Sequence, residues 1–296
     1  MSQPEFPLSS RRWFIGAASV ALYGAAGAAR EQQGIVERLT AIRSRIGGRL
    51  GAYVLDTHTG RRFGLDYDER FAMASTFKWL LAAAVLAKVE RAELRLEQRV
   101  SFAEKDLLAH APVTSKHLRQ SSLTLRELCA AVVEVSDNTA ANLLLRLIEG
   151  PEGLTKFARA SGDEMTRLDR TELALNSNLP GDPRDTTTPR AMVGSMERVL
   201  LGTVLSEPSR QILIQWMINS STGLQRIRAG LPAHWKVGDK TGTGASGAVN
   251  DLAMVWPPGR KPILMAVYMS ESTETVETLS AAHAQVAAEV VRELAA

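Results

Sequence analysis

Ser75-Thr76-Phe77-Lys78 sets a hydroxyl and an amine three residues apart where a long apolar run begins, and helical spacing puts both on one face. A serine alcohol is a weak nucleophile at neutral pH. It attacks a carbonyl only with a base beside it, while N–H groups at a helix start can hold the oxyanion that follows. About one S-x-x-K is expected by chance in a chain this long, and Ser75 as a helix cap with Lys78 in solvent is the bland alternative. Two further runs add matching polar groups: Ser136-Asp137-Asn138 lies 61 residues after Ser75, and Lys240-Thr241-Gly242 a further 104 residues on. Between them "DRTELALN" places Glu172 beside Arg170 and Asn176; taken alone, it reads as a solvated charge near a helix start.

The intervening elements must bring these runs together. An amphipathic helix is expected over about 31–46, and Leu50 to Leu55 with Arg62 to Leu65 flank the turn-rich "DTHTG" as a hairpin. From Thr76 to about Ile227 the pattern is mainly helical, with a capping box at Thr124 and Glu127 ahead of the helix that begins at Leu125. Strand character returns in "WKVGDKTGTG", then in "NDLAMVW" and "PILMAVYMS" joined by "PPGR", and an alanine-rich helix starts near Glu274. Strands at both ends around a helical middle predict an α+β fold. Its antiparallel sheet is built from N- and C-terminal strands and flanked by the terminal helices, in a lobe of about 30–70 and 228–296. The all-helical lobe spans about 71–227, and the active site lies in the cleft between them.

In this order and together, S-x-x-K, S-D-N and K-T-G resemble the signature of the active-site serine penicillin-recognising enzymes, known for class A β-lactamases and penicillin-binding proteins. The likeness runs on through "APVTSKHL", "LTLRELCAAVVEVSDNTAANLLL", "TRLDRTELALN", "DTTTP" and "WKVGDKTGTG", nearly all of the chain after its first thirty residues. Class A β-lactamases carry an R-x-E-x-x-L-N run between the second and third motifs, and Arg170, Glu172, Leu175 and Asn176 match it position for position. The resemblance implies a serine β-lactamase that hydrolyses penicillins and cephalosporins and so gives antibiotic resistance.

The resemblance also implies roles for individual residues. Ser75 would attack the lactam carbonyl, with the N–H groups of Ser75 and Thr243 as oxyanion hole, and Ser136 would pass a proton to the leaving nitrogen. Glu172 with Asn176 would hold and deprotonate the water that clears the acyl-enzyme. Whether Lys78 or Glu172 takes the Ser75 proton stays open. Lys240, Thr241, Gly242 and Thr243 would hold the substrate carboxylate, and Asn138 the acylamino side chain. Where some relatives place an arginine on the next strand this chain has Ala248-Val249-Asn250, so Arg226 takes the carboxylate role or is a surface arginine. Arg170 and Asp185 would pair across the neck of the loop that carries Glu172, the glutamate loop, and His110 occupies a cleft position that is commonly aromatic. Cys129 faces Ala82 where relatives have a second cysteine, and neither Ala74 nor Gly244 is a cysteine.

A D-alanyl-D-alanine carboxypeptidase would share S-x-x-K and K-T-G but not R-x-E-x-x-L-N, and a non-hydrolytic β-lactam sensor would be anchored in a membrane. Ser10-Arg11-Arg12-Trp13-Phe14-Ile15-Gly16 and the alanine-rich run to Ala29 instead read as a twin-arginine export signal over 1–29, cleaved near Ala28 or Ala29, which puts the enzyme of 30–296 in the periplasm. That apolar run is shorter than the ~20 residues of a membrane span. Cleavage removes Arg11, Arg12 and Glu5 and leaves a nearly balanced charge; without a dense basic block, nucleic acid is not a partner. Cys129, the only cysteine, falls with Leu125, Leu128 and Val132 on one helical face, as a buried thiol does. His58, His110, His117, His234 and His283 lack zinc-ligand spacing, so no metal or other cofactor is expected, and nothing demands more than a monomer.

Overall fold

The computed structural model describes Met1 and residues 33–295; beyond Met1, the predicted export signal lies outside the described residues. Helix α1 (33–46) leads into β1 (Arg49–Asp56) and β2 (Arg62–Leu65). Then follow β3 (Phe71–Ala72), α2 (Phe77–Glu90), β4 (Arg99–Ser101), β5 (Ser122–Thr124), α3 (Leu125–Glu134), α4 (Asn138–Leu147) and α5 (Gly150–Ala160). The chain closes with β6 (Thr186–Thr187), α6 (Pro189–Met196), α7 (Glu207–Ile218), β7 (Lys236–Thr243), β8 (Val249–Trp256), β9 (Ile263–Ser270) and α8 (Val276–Ala295).

The main sheet has the order β2-β1-β9-β8-β7 and is antiparallel throughout, so the first and last strands of the chain lie side by side, Ala52 opposite Val267. Both faces of this sheet are covered, which is why β9 is buried at every residue and reads as an unbroken apolar run rather than an alternating one. One face packs on α1 and α8 through Ile35, Leu39, Ile42, Val286 and Val290. The other meets the helical layer through Tyr53, Leu252, Met254, Leu264 and Tyr268.

Helix α2 is the axle of the helical layer. Phe77 to Ala87 are all buried, which demands an apolar surface on every side and explains its lack of a polar stripe. At α3 the predicted capping box forms: Thr124 N donates to Glu127 Oε2 at 2.7 Å, and Glu127 N donates to Thr124 Oγ1 at 3.2 Å. Cys129 is fully buried in α3, and burial pushes its thiol well above the ordinary value. Two short ladders not announced by any alternating run also lie within this section, β4 with β5 and β3 with β6. The second ties the segment before Ser75 to the end of the glutamate loop, and Met73 N donates to Asp185 O beside it at 2.9 Å.

Candidate active site

Ser75 sits in a single 3₁₀ turn, Ala74–Thr76, that runs straight into α2, and Ala74 before it holds a left-handed φ of 43°. Strain of this kind persists where surrounding structure fixes it. One turn on, Lys78 is wholly buried, with Nζ 2.8 Å from Ser136 O, 2.5 Å from Asn138 Oδ1, 2.9 Å from Glu172 Oε1 and 3.3 Å from Ser136 Oγ. Burial lowers its pKa, and the Glu172 carboxylate opposes that fall.

Ser136 is held by its neighbours. It has φ 61°, and Asp137 behind it is a hub: its carboxylate caps α4 through Ala140 N and accepts from Val113 N, Thr114 N and Thr114 Oγ1 at 2.9–3.0 Å. Both Lys78 and Lys240 reach Ser136 Oγ, at 3.3 and 3.2 Å. Asn138 spends Oδ1 on Lys78 and one Nδ2 proton on Ala109 O at 2.8 Å. His110 stands exposed on the cleft rim with φ 56° and Nε2 2.9 Å from Val135 O.

Glu172 is 5% exposed, which overturns the solvated reading of the isolated residue. Its Oε1 lies 3.5 Å from Ser75 Oγ, and Oε2 accepts from Asn176 Nδ2 at 2.6 Å. Asn176 Oδ1 is buried without a partner among the described residues, leaving an acceptor beside the carboxylate that can orient an attacking water. The Glu172-Leu173 peptide is cis, and Asn142 of α4 grips the glutamate backbone from both sides, Nδ2 to Glu172 O at 2.9 Å and Oδ1 from Glu172 N at 3.0 Å. At the neck, buried Asp185 accepts from Asp169 N, Arg170 N and Arg170 Nε at 2.5–2.9 Å. The pair is thus a partly buried, backbone-linked contact rather than two exposed charges.

The third wall is the end of β7. Gly242 is needed there because a Cβ at this position would lie 2.6 Å from Met73 O and 3.1 Å from Ser75 N; without one, the strand closes onto the backbone around Ser75. Lys240 is fully buried, donating to Thr241 O at 2.8 Å; burial first, and the charge of Lys78 second, hold its pKa well below the ordinary value. Thr241 Oγ1 is 2.6 Å from Thr222 Oγ1. Arg226 is buried, not a surface residue: it donates to Gly242 O at 2.9 Å, Asn250 O at 2.6 Å and Thr243 Oγ1 at 2.7 Å, all neutral acceptors.

A cavity of about 430 Å³ opens over these groups, lined by Ser75, His110, Ser136, Asn138, Asn176, Thr222, Arg226, Thr241, Gly242 and Thr243. Lys78, Glu172 and Lys240 are buried within hydrogen-bonding reach of its lining residues, and Arg170 with Asp185 stands behind at the loop neck. Sequence reasoning left out Thr222, Asp137 and Asn142. Asp137 is the middle residue of S-D-N and so was visible in the motif, whereas Asn142 and Thr222 carry no local signal. Among the described residues, no group of three or more His, Cys, Asp or Glu side chains is placed to hold a metal ion. The arrangement can do acyl transfer: a hydroxyl beside a buried carboxylate and amine, a second hydroxyl between two amines, and a cationic end for an anionic substrate group.

Comparison with known proteins agrees. The model of the beta-lactamase enzyme family matches residues 34–294. Beta-lactamase L2 of Stenotrophomonas maltophilia is 47% identical over 247 residues, covering 83% of this chain and 81% of that protein. Beta-lactamase CTX-M-8 of Citrobacter amalonaticus is 43% identical, covering 87% and 88%. Among solved structures, the class A beta-lactamase of the last common ancestor of Gram-negative bacteria superposes with a TM-score of 0.87 at 54% identity, over 88% of this chain and 99% of that one.

Proposed function

The chain belongs to the beta-lactamase enzyme family, and we propose the following division of labour in its hydrolysis of the β-lactam ring through a serine acyl-enzyme. Ser75 Oγ attacks the lactam carbonyl carbon while its proton passes to the Lys78–Glu172 pair. The oxyanion is received by the N–H groups of Ser75 and Thr243. As the C–N bond breaks, Ser136 gives its proton to the lactam nitrogen and is reprotonated from Lys78; Lys240, 3.2 Å from the same hydroxyl, favours the charge distribution of that step. The substrate carboxylate lies against Lys240, Arg226 and the Thr241 and Thr243 hydroxyls, and Asn138 faces the acylamino group.

Deacylation is the step that separates a hydrolase from a blocked acyl-enzyme. Glu172 takes a proton from a water aligned with Asn176, the water oxygen adds to the ester carbonyl, and Ser75 leaves with its proton restored. The observation that carries this reading is the buried Glu172 carboxylate within 3.5 Å of the Ser75 hydroxyl and 2.9 Å of the Lys78 amine. A D-alanyl-D-alanine carboxypeptidase or a non-hydrolytic sensor is not favoured. Intact-protein mass spectrometry with a penicillin tests the assignment: a transient adduct mapping to Ser75, absent in Ser75→Ala and indifferent to metal chelation, is expected. A persistent adduct on wild-type protein would sink it.

Export by the twin-arginine route, cleavage near Ala28 or Ala29, and a monomeric periplasmic enzyme complete the proposal, supported by the arginine pair and the small-residue run. No helix among the described residues is long and apolar enough to cross a membrane. N-terminal sequencing and sedimentation of the secreted protein check both points; an uncleaved start or a dimer would contradict them.

A further inference from the structure

Arg226 and Lys240 bring two cations to the cleft, and neither has a carboxylate within contact distance in the described structure: their hydrogen bonds go to carbonyls and hydroxyls. Two buried acids lie behind them. Asp239 is engaged, with Arg228 at 2.5 Å and Ser220 at 3.0 Å. Asp251 on β8 is different. It stands directly opposite Thr241 of β7 and Val267 of β9, is wholly buried, and uses Oδ2 to accept from Ile227 N at 3.1 Å. Its Oδ1 has no partner among the described residues.

We propose that Asp251 is a positioning residue for the substrate-carboxylate site, fixing the Arg226–Ile227 backbone beneath the Lys240-Thr241-Gly242 strand so that the guanidinium stays aimed into the cleft. The inference rests on the carboxylate role given to Arg226. Its mechanical logic is short. Ile227 opens a single 3₁₀ turn, Ile227–Gly230, whose first N–H groups have no partner inside the turn, and Asp251 meets one of them immediately after Arg226. Arg226 itself holds Asn250 O, the residue beside Asp251, so two bonds in adjacent registers clamp the turn to β8.

The charge on Asp251 is not what this role requires. Burial and the nearby Asp239 push its carboxyl well above the usual carboxylate range, against the pull of Arg226 and Lys240. The bond from Ile227 N needs only an acceptor oxygen, which the Asp251 carboxyl keeps in either protonation state. On α8, burial and then the charge of Arg226 push the pKa of His283 down to about 3. The turn is therefore held by hydrogen bonding in a region where an added negative charge would weaken substrate capture.

The test compares kcat/KM for a penicillin with that for its methyl ester, which lacks the anion, in wild type, Arg226→Gln, Asp251→Asn and Asp251→Ala, with Asp251→Val in place of Ala where the smaller residue fails to fold. The acid-to-ester ratio is expected to fall about tenfold or more in Arg226→Gln and in Asp251→Ala or Asp251→Val, through KM rather than kcat, and to stay within about twofold of wild type in Asp251→Asn, which keeps an acceptor for Ile227 N. General loss of structure lowers both rates and leaves the ratio alone. An unchanged ratio in Asp251→Ala or Asp251→Val beside a lowered one in Arg226→Gln overturns this inference and spares the Arg226 assignment. An unchanged ratio in Arg226→Gln overturns that assignment. A fall in Asp251→Asn as large as in the apolar variants overturns the positioning role by making charge the agent.

Discussion

Replacing Glu172 by Gln keeps the side chain's size and removes only its charge and one acceptor, so the consequences can be worked atom by atom. Glu172 accepts at both oxygens, from Lys78 Nζ at 2.9 Å and Asn176 Nδ2 at 2.6 Å. A glutamine has one oxygen, so one buried donor is left facing an N–H, which costs about 1–3 kcal/mol of stability. The kinetic loss is larger. A positioned general base contributes about 10²- to 10⁴-fold, and at about 1.36 kcal/mol per decade its removal raises the deacylation barrier by about 2.7–5.4 kcal/mol. Acylation is expected to respond differently. Burial already lowers the Lys78 pKa, with Glu172 the main opposing influence, so losing that carboxylate lowers it further and enlarges the neutral fraction able to accept the Ser75 proton. Stopped-flow measurement with a chromogenic cephalosporin should therefore give a burst near one equivalent followed by turnover at least about a hundredfold slower than wild type, with the acyl adduct dominant by mass spectrometry. Two results would refute the reasoning: an adduct that decays at the wild-type rate, or acylation slowed as much as deacylation.

Asn142→Ala removes both bonds to the Glu172 backbone and is expected to lower stability by about 2–4 kcal/mol and to slow deacylation far more than acylation, read by thermal melts and burst kinetics; equal slowing of both steps would show that Asn142 serves the whole site rather than the glutamate. His283 is fully buried with its pKa pushed down to about 3 by burial. Below its unfolded value near 6.5 the unfolded chain takes up a proton that the native state refuses, so stability is lost as pH falls from about 6.5 toward 3, by about 2 kcal/mol at pH 5. Melting curves between pH 7.5 and 5 should fall by about 4–8 °C more in wild type than in His283→Leu; parallel curves would refute the assignment.

Much of this molecule is legible in its sequence because the informative positions are local. The β1–β2 turn is marked by Asp56-Thr57-His58-Thr59-Gly60, the start of α3 by Thr124 and Glu127, and the three motifs that line the cleft by residues three apart or adjacent. Glu172 needed the other motifs to be read at all, since nothing in "DRTELALN" says that the residue will be 5% exposed. What stayed hidden depends on chain segments meeting in space. Asn142 sits thirty residues before the backbone it grips, Thr222 meets Thr241 across nineteen, and Asp251 meets Ile227 across twenty-four. The left-handed residues Ala74, His110, Ser136 and Asp185 are also invisible, because none is a glycine and each is held in place by tertiary contacts.

The geometry bears on the two candidate bases for acylation by making them one system. As an ammonium, Lys78 has three protons, and three acceptors within 2.9 Å can use all of them: Ser136 O, Asn138 Oδ1 and Glu172 Oε1. In that state it has no lone pair for the Ser75 proton. It becomes a base only by first surrendering a proton, and Glu172 is the carboxylate in contact with it. Moving that proton turns an ion pair into a neutral amine and a neutral acid, which removes two opposite charges from a buried contact. In the proposed mechanism the two bases divide the steps: Lys78, once neutral, takes the Ser75 proton in capture, and the Glu172 carboxylate takes the water proton in release. The paired contacts of the Glu172 carboxylate, with an amine on one oxygen and an amide on the other, place it against the groups of both proposed steps.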